Sequence, residues 1–229
     1  MNRSAPRHDL YAVIHKTMRL CMTDALVRFG RMDAADDEEC AEAIESVRSM
    51  LDLAAVHLED ENRFVHPALA ARCSDAAERS AREHVEHEHE IESLRAGLRA
   101  LERSAPAERA DQALQLYRQL ALYVAENFVH MHHEETHNMP ALWERYDDDE
   151  LVAIEQAIVA SIEPQTMARF VGWMFPAVSH PERIALLPPE APPELVELAL
   201  DAVGRQLGPR EHDRLAASRT GTNVLARAA

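Results

Sequence analysis

An all-α protein is expected from this chain: an up-down-up-down four-helix bundle followed by a C-terminal extension of short helices. Three features lead there. Ala, Leu, Glu and Arg dominate, only 6 glycines occur in 229 residues, and no run of β-branched residues appears, a composition that favours helix nearly throughout. Four long stretches carry apolar residues at helical spacing. Apart from the link between the first and second, the connections are short, and short links make consecutive helices antiparallel neighbours.

The first helix is expected from about His8 to Phe29, with Gly30 as its C-terminal stop. The second begins in the acidic stretch DAADDEE, where carboxylates suit a helix N-terminus, and continues to about Arg72 with a bend near Pro67. Ser74 is a good N-cap for the third, which ends near Arg103. ERSAPAER makes a short break and sets Pro106 in the first turn of the fourth, which runs to about Asn138, where Pro140 disturbs it. YDDDE then opens a different region, chopped into short helices by Pro164, Pro176, Pro181, PPEAPPE and Pro209. The domains expected are a bundle over 1–147 and a helical extension over 148–229. The extension carries no catalytic cluster. It is expected to cap the bundle, with a partner-binding appendage, or a surface for a second copy of the chain, as the alternative.

A hydrophobic content of 47% supports a sizeable core, and the net charge of −16 with no basic patch excludes a nucleic-acid binder. The cysteines, Cys21, Cys40 and Cys73, are odd in number and form no CxxC. They are expected to be small buried hydrophobes in a reducing compartment, not a disulfide framework or a thiolate zinc site. The N-terminus lacks the apolar core of a signal peptide, and no stretch of about 18 apolar residues could span a membrane. The expected location is the cytoplasm.

Helical phase then asks which polar residues point at the core. The third helix has the column Ile91, Leu94, Leu98 and Leu101; one step back lies His87, and one turn further His84, while His89 falls on nearly the opposite face. The fourth has Leu116, Leu120, Tyr123, Asn127, His130 and Glu134 in one column, with His132 and Asn138 turned outward and His133 and His137 at the edge. The second has Met50, Ala54, His57, Glu61, Phe64 and Ala68, and the first Tyr11, His15, Met18, Met22 and Ala25. Each helix thus sends polar groups inward: His15, His57, Glu61, His87, His130 and Glu134. Those columns hold no Lys or Arg, and burying such groups without partners costs several kcal/mol. A metal offsets that cost directly, whereas a lone core histidine or a surface His/Glu pair is the bland explanation for any one of them. Imidazole with carboxylate suits iron, zinc or manganese. Four imidazoles and two carboxylates exceed one tetrahedral zinc, whereas two metals bridged by Glu61 and Glu134 would use all six. The ferritin-like arrangement, which needs Glu-x-x-His from two helices, fits less well, because Glu86 and His89 fail the phase test and the first helix offers His15 where a Glu is required.

The motifs YAVIHKTMR, HLEDENRFVHPAL, EHVEHEHEIESL and HMHHEETHNMPALWERYDDDEL together resemble the hemerythrin-like family, the HHE cation-binding bundles, over about residues 8 to 151. The tail resembles the helical extension of a bacterial branch of that family. The resemblance implies two non-haem iron ions in an up-down bundle. It makes His15 the first-helix ligand, His57 with Glu61 and His130 with Glu134 the two HxxxE pairs with bridging glutamates, and His87 the best match on the third helix. Two departures stand out. Oxygen-carrying hemerythrins have HxxxH on the third helix, where His87 is followed by Ile91; they have HxxxxD on the fourth, where Glu135 fills the slot and rivals Glu134. The pattern is closer to family members linked to iron or oxygen sensing. The function expected is binding or sensing of oxygen, iron or a small anion. Tyr11 and Tyr123 are either hydrogen-bonding neighbours of the ligands or plain core aromatics. The alternatives are a di-iron redox enzyme (ferroxidase, peroxidase or nitric-oxide reductase type) and a zinc-loaded or metal-free structural module.

Overall fold

The computed structural model describes residues 7–73 and 77–226; Ser74, the expected cap of the third long helix, lies outside them. Among the described residues there is helix and no strand. Helix α1 (Ala12–Arg31) starts where the Asp9 carboxylate accepts the N–H groups of Tyr11 and Ala12 at 2.9 and 3.0 Å. It closes with Arg28 and Arg31 in the last turn, where cations complement the helix dipole. Gly30 does not stop the helix, which runs one residue past it. A Cβ there would fall 2.6 Å from the Tyr117 ring, so Gly30 admits a neighbouring helix. Helix α2 (Asp37–Asp60) begins from Asp36, whose carboxylate accepts the N–H groups of Glu38 and Glu39 at 2.9 Å. A π-helical turn, π1 (Glu61–Val65), joins it to α3 (His66–Arg72). Helix α4 (Ala77–Arg103) is followed by α5 (Pro106–His133), which opens on Pro106 after an extended Ala105. A second π turn, π2 (Glu134–Asn138), leads into α6 (Met139–Arg145).

Helix α1 packs on α2 and α5, and α4 packs on the same two. The faces that meet are apolar: Met18, Met22 and Ala25 of α1, Met50 and Ala54 of α2, Leu94, Leu98 and Leu101 of α4, and Leu116 and Leu120 of α5 are all buried.

The two π turns occupy equivalent places in one repeated pattern. His57-x-x-x-Glu61 is followed by Pro67-Ala-Leu, and His130-x-x-x-Glu134 by Pro140-Ala-Leu, at the same spacing. Proline has no N–H to give the carbonyl four residues before it, and its ring crowds that carbonyl. The chain relieves this with one wide turn, in which the His66 N–H reaches Glu61 O and the Met139 N–H reaches Glu134 O, five residues back. The helices therefore continue where a bend and a break were expected. The extra residue also re-phases the turns beyond it: Val65 and Leu69 are buried, where an unbroken 3.6 repeat puts Phe64 and Ala68. For the same reason Asn138, expected to face outward, is fully buried and donates Nδ2–H to Ser80 Oγ at 3.0 Å.

The chain divides into two compact units, Met1–Ser161 and Ile162–Ala229. The boundary expected after 147 lies instead after Ser161, so α7 (Asp148–Ser161) belongs to the first unit. Arg72 gives two hydrogen bonds to Glu150 at 2.6 and 3.0 Å, and Leu151 joins Tyr11, Val65, Leu69, Met139 and Leu142 in a core cluster. The second unit consists of α8 (Pro164–Ala177), α9 (His180–Leu186), α10 (Pro193–Leu207) and α11 (Pro209–Ala226) around Val171, Phe175, Leu187, Ala199, Val203 and Leu215. Pro164, Pro181, Pro193 and Pro209 lie in the first turns of its helices, as fixed φ and a missing donor allow, and Gly208 at φ 86 ends α10. Among the described residues no helix is long and apolar enough to cross a membrane.

Candidate metal centre

Six side chains converge in the middle of the first unit: His15 from α1, His57 from α2, Glu61 at the head of π1, His84 from α4, His130 from α5 and Glu134 at the head of π2. Each is at most 8% exposed. One ligand atom from each of Glu61, His84, His130 and Glu134 lies within 4.8 Å of the others, and the same holds for His15, His57 and Glu61. Glu61 belongs to both groups. His15 Nε2 stands 3.7 Å from Glu61 Oε1 and 3.4 Å from Glu134 Oε2. His57 Nε2 is 3.5 Å from Glu61 Oε1, His84 Nε2 3.3 Å from Glu61 Oε2, and His130 Nε2 3.4 Å from Glu134 Oε2.

Outer partners fix which ring nitrogen faces inward. His15 donates Nδ1–H to Glu135 Oε1 at 3.0 Å, His84 donates Nδ1–H to Asn62 Oδ1 at 2.8 Å, and His130 donates Nδ1–H to Glu83 Oε2 at 2.9 Å. These oxygens accept, so each Nδ1 carries a proton, and in its neutral form each ring presents the Nε2 lone pair inward. Arg19 in turn holds Glu135 with two hydrogen bonds, at 2.6 and 3.0 Å. This is the outer-shell arrangement that orients imidazole ligands toward a cation. It also separates the two candidate glutamates: Glu134 lies at the centre, fully buried, while Glu135 braces His15 from outside.

The residues fit a cation on two counts. Both oxygens of Glu61, both of Glu134, and Nε2 of His15 and His57 are buried with no hydrogen-bond partner, a combination a folded chain does not leave uncompensated. His84 Nε2 and His130 Nε2 face each other at 3.0 Å, a contact that a shared proton or a bound cation between the two nitrogens satisfies. Ligands ~2.1 Å from one ion are ~3.0 Å apart at a right angle and ~3.4 Å apart at the tetrahedral angle, and the spacings above cluster around these values. These buried groups could hold metal ions.

The charges already interact strongly. Burial opposes charge on His15, but contacts with Glu134, Glu135 and Glu61 outweigh it and raise its pKa to about 10. Burial lowers His57 to about 4 against the pull of Glu61. Burial would raise Glu61, yet His57, His15 and His84 hold it well below the ordinary carboxylate value. Glu134 goes the other way, pushed up by burial and by the charge of Glu61. Burial also opposes ionisation of Glu135, but His15 and Arg19 bring it down to about 2.

Of the six residues expected from phase, five lie in the two groups. His87 does not. It is buried one turn along α4, with its ring 4.9 Å from that of His130, and His84 takes the central position. Both point inward, so phase alone could not separate them; the level at which α4 crosses its neighbours does. His66 is buried too, its ring 4.5 Å from His84. His89 and His132 are exposed, as expected. Tyr11 and Tyr123 are buried, their rings 5.0 Å from His15 and 6.1 Å from His87 and their hydroxyls without a hydrogen-bond partner. No family model, curated protein or solved structure matches the chain.

Proposed function

We propose that the chain is a hemerythrin-like, non-haem di-iron protein that binds or senses oxygen, iron or a small anion. In this proposal α1, α2, α4 and α5 form an up-down-up-down bundle, and the C-terminal helices form the family's extension. The observation that carries it is the set of four partnerless carboxylate oxygens facing the Nε2 side of imidazoles whose Nδ1 atoms are held from outside. His15 and His57 on one side, and His84 and His130 on the other, would hold two irons with Glu61 and Glu134 between them. Iron held there would supply a reversible binding position for oxygen or a small anion. The protein's part is to orient the ligands through Glu135, Asn62 and Glu83 and to exclude water with Met18, Met22 and Leu120, all buried. Cysteines held as thiols fit the reducing, cytoplasmic setting expected of such a protein.

Metal analysis of protein purified without chelator tests the proposal. Two metal ions per chain are expected, with occupancy lost in His57→Ala, Glu61→Ala and His84→Ala and kept in His89→Ala and His132→Ala. Equal loss in all five would sink it. Loaded anaerobically with ferrous iron and then exposed to air, the protein should develop a stable visible charge-transfer band. Sustained oxygen consumption with added ferrous iron would mean an oxidase instead, and zinc with neither response would mean a structural module.

A further inference from the structure

Outside the central cluster, α4 and α5 border a cavity of about 500 Å³. Its wall includes Glu83, Glu86, His87, Glu90, Glu126 and His130. Glu83 is engaged by Arg79 at 2.7 Å and by His130. Glu86 and Glu126 are exposed, while Glu90 is half-buried and its Oε2 has no hydrogen-bond partner. Burial, then the neighbouring Glu126 and Glu86 carboxylates, push Glu90 up to about 7. Behind them stands His87, only 4% exposed, lining the same cavity with its Nδ1 lacking any partner. Its ring is edge-on to His130 at 4.9 Å, which borders both the cavity and the buried cluster.

The order from solvent inward is therefore carboxylates, an imidazole with an unused nitrogen, and then His130 of the centre. Carboxylates that crowd one another attract a hydrated divalent cation, and concentrated like charge at a cavity raises the arrival rate of the opposite ion. Imidazole is the next softer ligand on the way to a site built of imidazole and carboxylate. We propose that this cavity is the loading route of the centre: Glu86, Glu90 and Glu126 collect a divalent cation at the mouth, and His87 passes it to His130. The proposal rests on the metal-binding function above, and it gives His87 a part distinct from that of a resident ligand.

Uptake of Co²⁺ by the metal-free full chain, followed by stopped-flow through its visible d–d bands, tests it. In Glu90→Gln/Glu126→Gln, loading should slow roughly tenfold, as lost electrostatic steering predicts, while the final stoichiometry from metal analysis matches wild type. Glu88→Gln, which removes an exposed carboxylate of α4 that does not line the cavity, should load at the wild-type rate. Raising ionic strength should slow wild type more than the double variant. Wild-type loading kinetics in the double variant would overturn the route while leaving the metal centre intact. A lower final stoichiometry in the double variant would also overturn it, since those carboxylates would then be resident ligands. A wild-type chain that takes up no metal would defeat the underlying function itself.

Discussion

Among single residues, the groups behind the imidazoles set how those rings are presented. Glu135 is the clearest case. It accepts the Nδ1 proton of His15 and is itself clamped by Arg19, so it fixes both the tautomer and the tilt of that ring. Removing such a brace ordinarily costs ~10–100-fold in metal affinity. Glu135→Ala is expected to weaken binding by about that factor, measured by competition with a chromophoric chelator, and to keep the full stoichiometry at saturation. A loss of stoichiometry would make Glu135 a ligand after all, and an unchanged affinity would leave it a surface ion pair. His84 and His87 carry a related lesson: both face inward, and only one reaches the two carboxylates.

Among the helices, the repeated pattern of His, Glu and Pro-Ala-Leu turns two prolines into parts of the site. Each π turn starts on a central glutamate and absorbs the proline that follows. Deleting Arg63 would shorten π1 to an ordinary α turn. Val65 and Leu69 would then fall where the 3.6 repeat wants them, but Pro67 would sit inside unbroken helix, at a cost of about 3 kcal/mol. Adding Pro67→Ala to the deletion should recover most of that stability, as read from denaturant melts. If the double change is no more stable than the deletion alone, the wide turn has some cause other than the proline. The same insertion explains why Asn138 lies inside while His137 stays exposed.

For the molecule as one folding system, any metal held by a buried cluster of this kind would be linked to folding, because the unfolded chain has no preformed site. Free metal at a hundredfold above Kd adds ~2.7 kcal/mol to the native state. For a chain of this size that corresponds to a fall of roughly 5–10 °C in melting temperature on full chelation. A demonstrably loaded sample whose melting ignores a chelator would contradict the linkage. The helical class, the presence of the long helices and the inward direction of His15, His57, Glu61, His130 and Glu134 were all legible from the residues in order, because composition and 3.6 periodicity are local and survive without knowledge of neighbours. So were the acidic start of α2 and the proline start of α5, which are local capping chemistry. Packing was needed to settle that His84 stands at the centre while His87 faces a cavity, and that Glu135 braces rather than joins the cluster. It was needed too for the two π turns that re-phase the helices beyond Glu61 and Glu134, and for the place of α7 in the first unit. Periodicity gives the direction in which a side chain points. The height at which one helix crosses another, and the partner waiting there, is set by contacts between residues far apart in the chain.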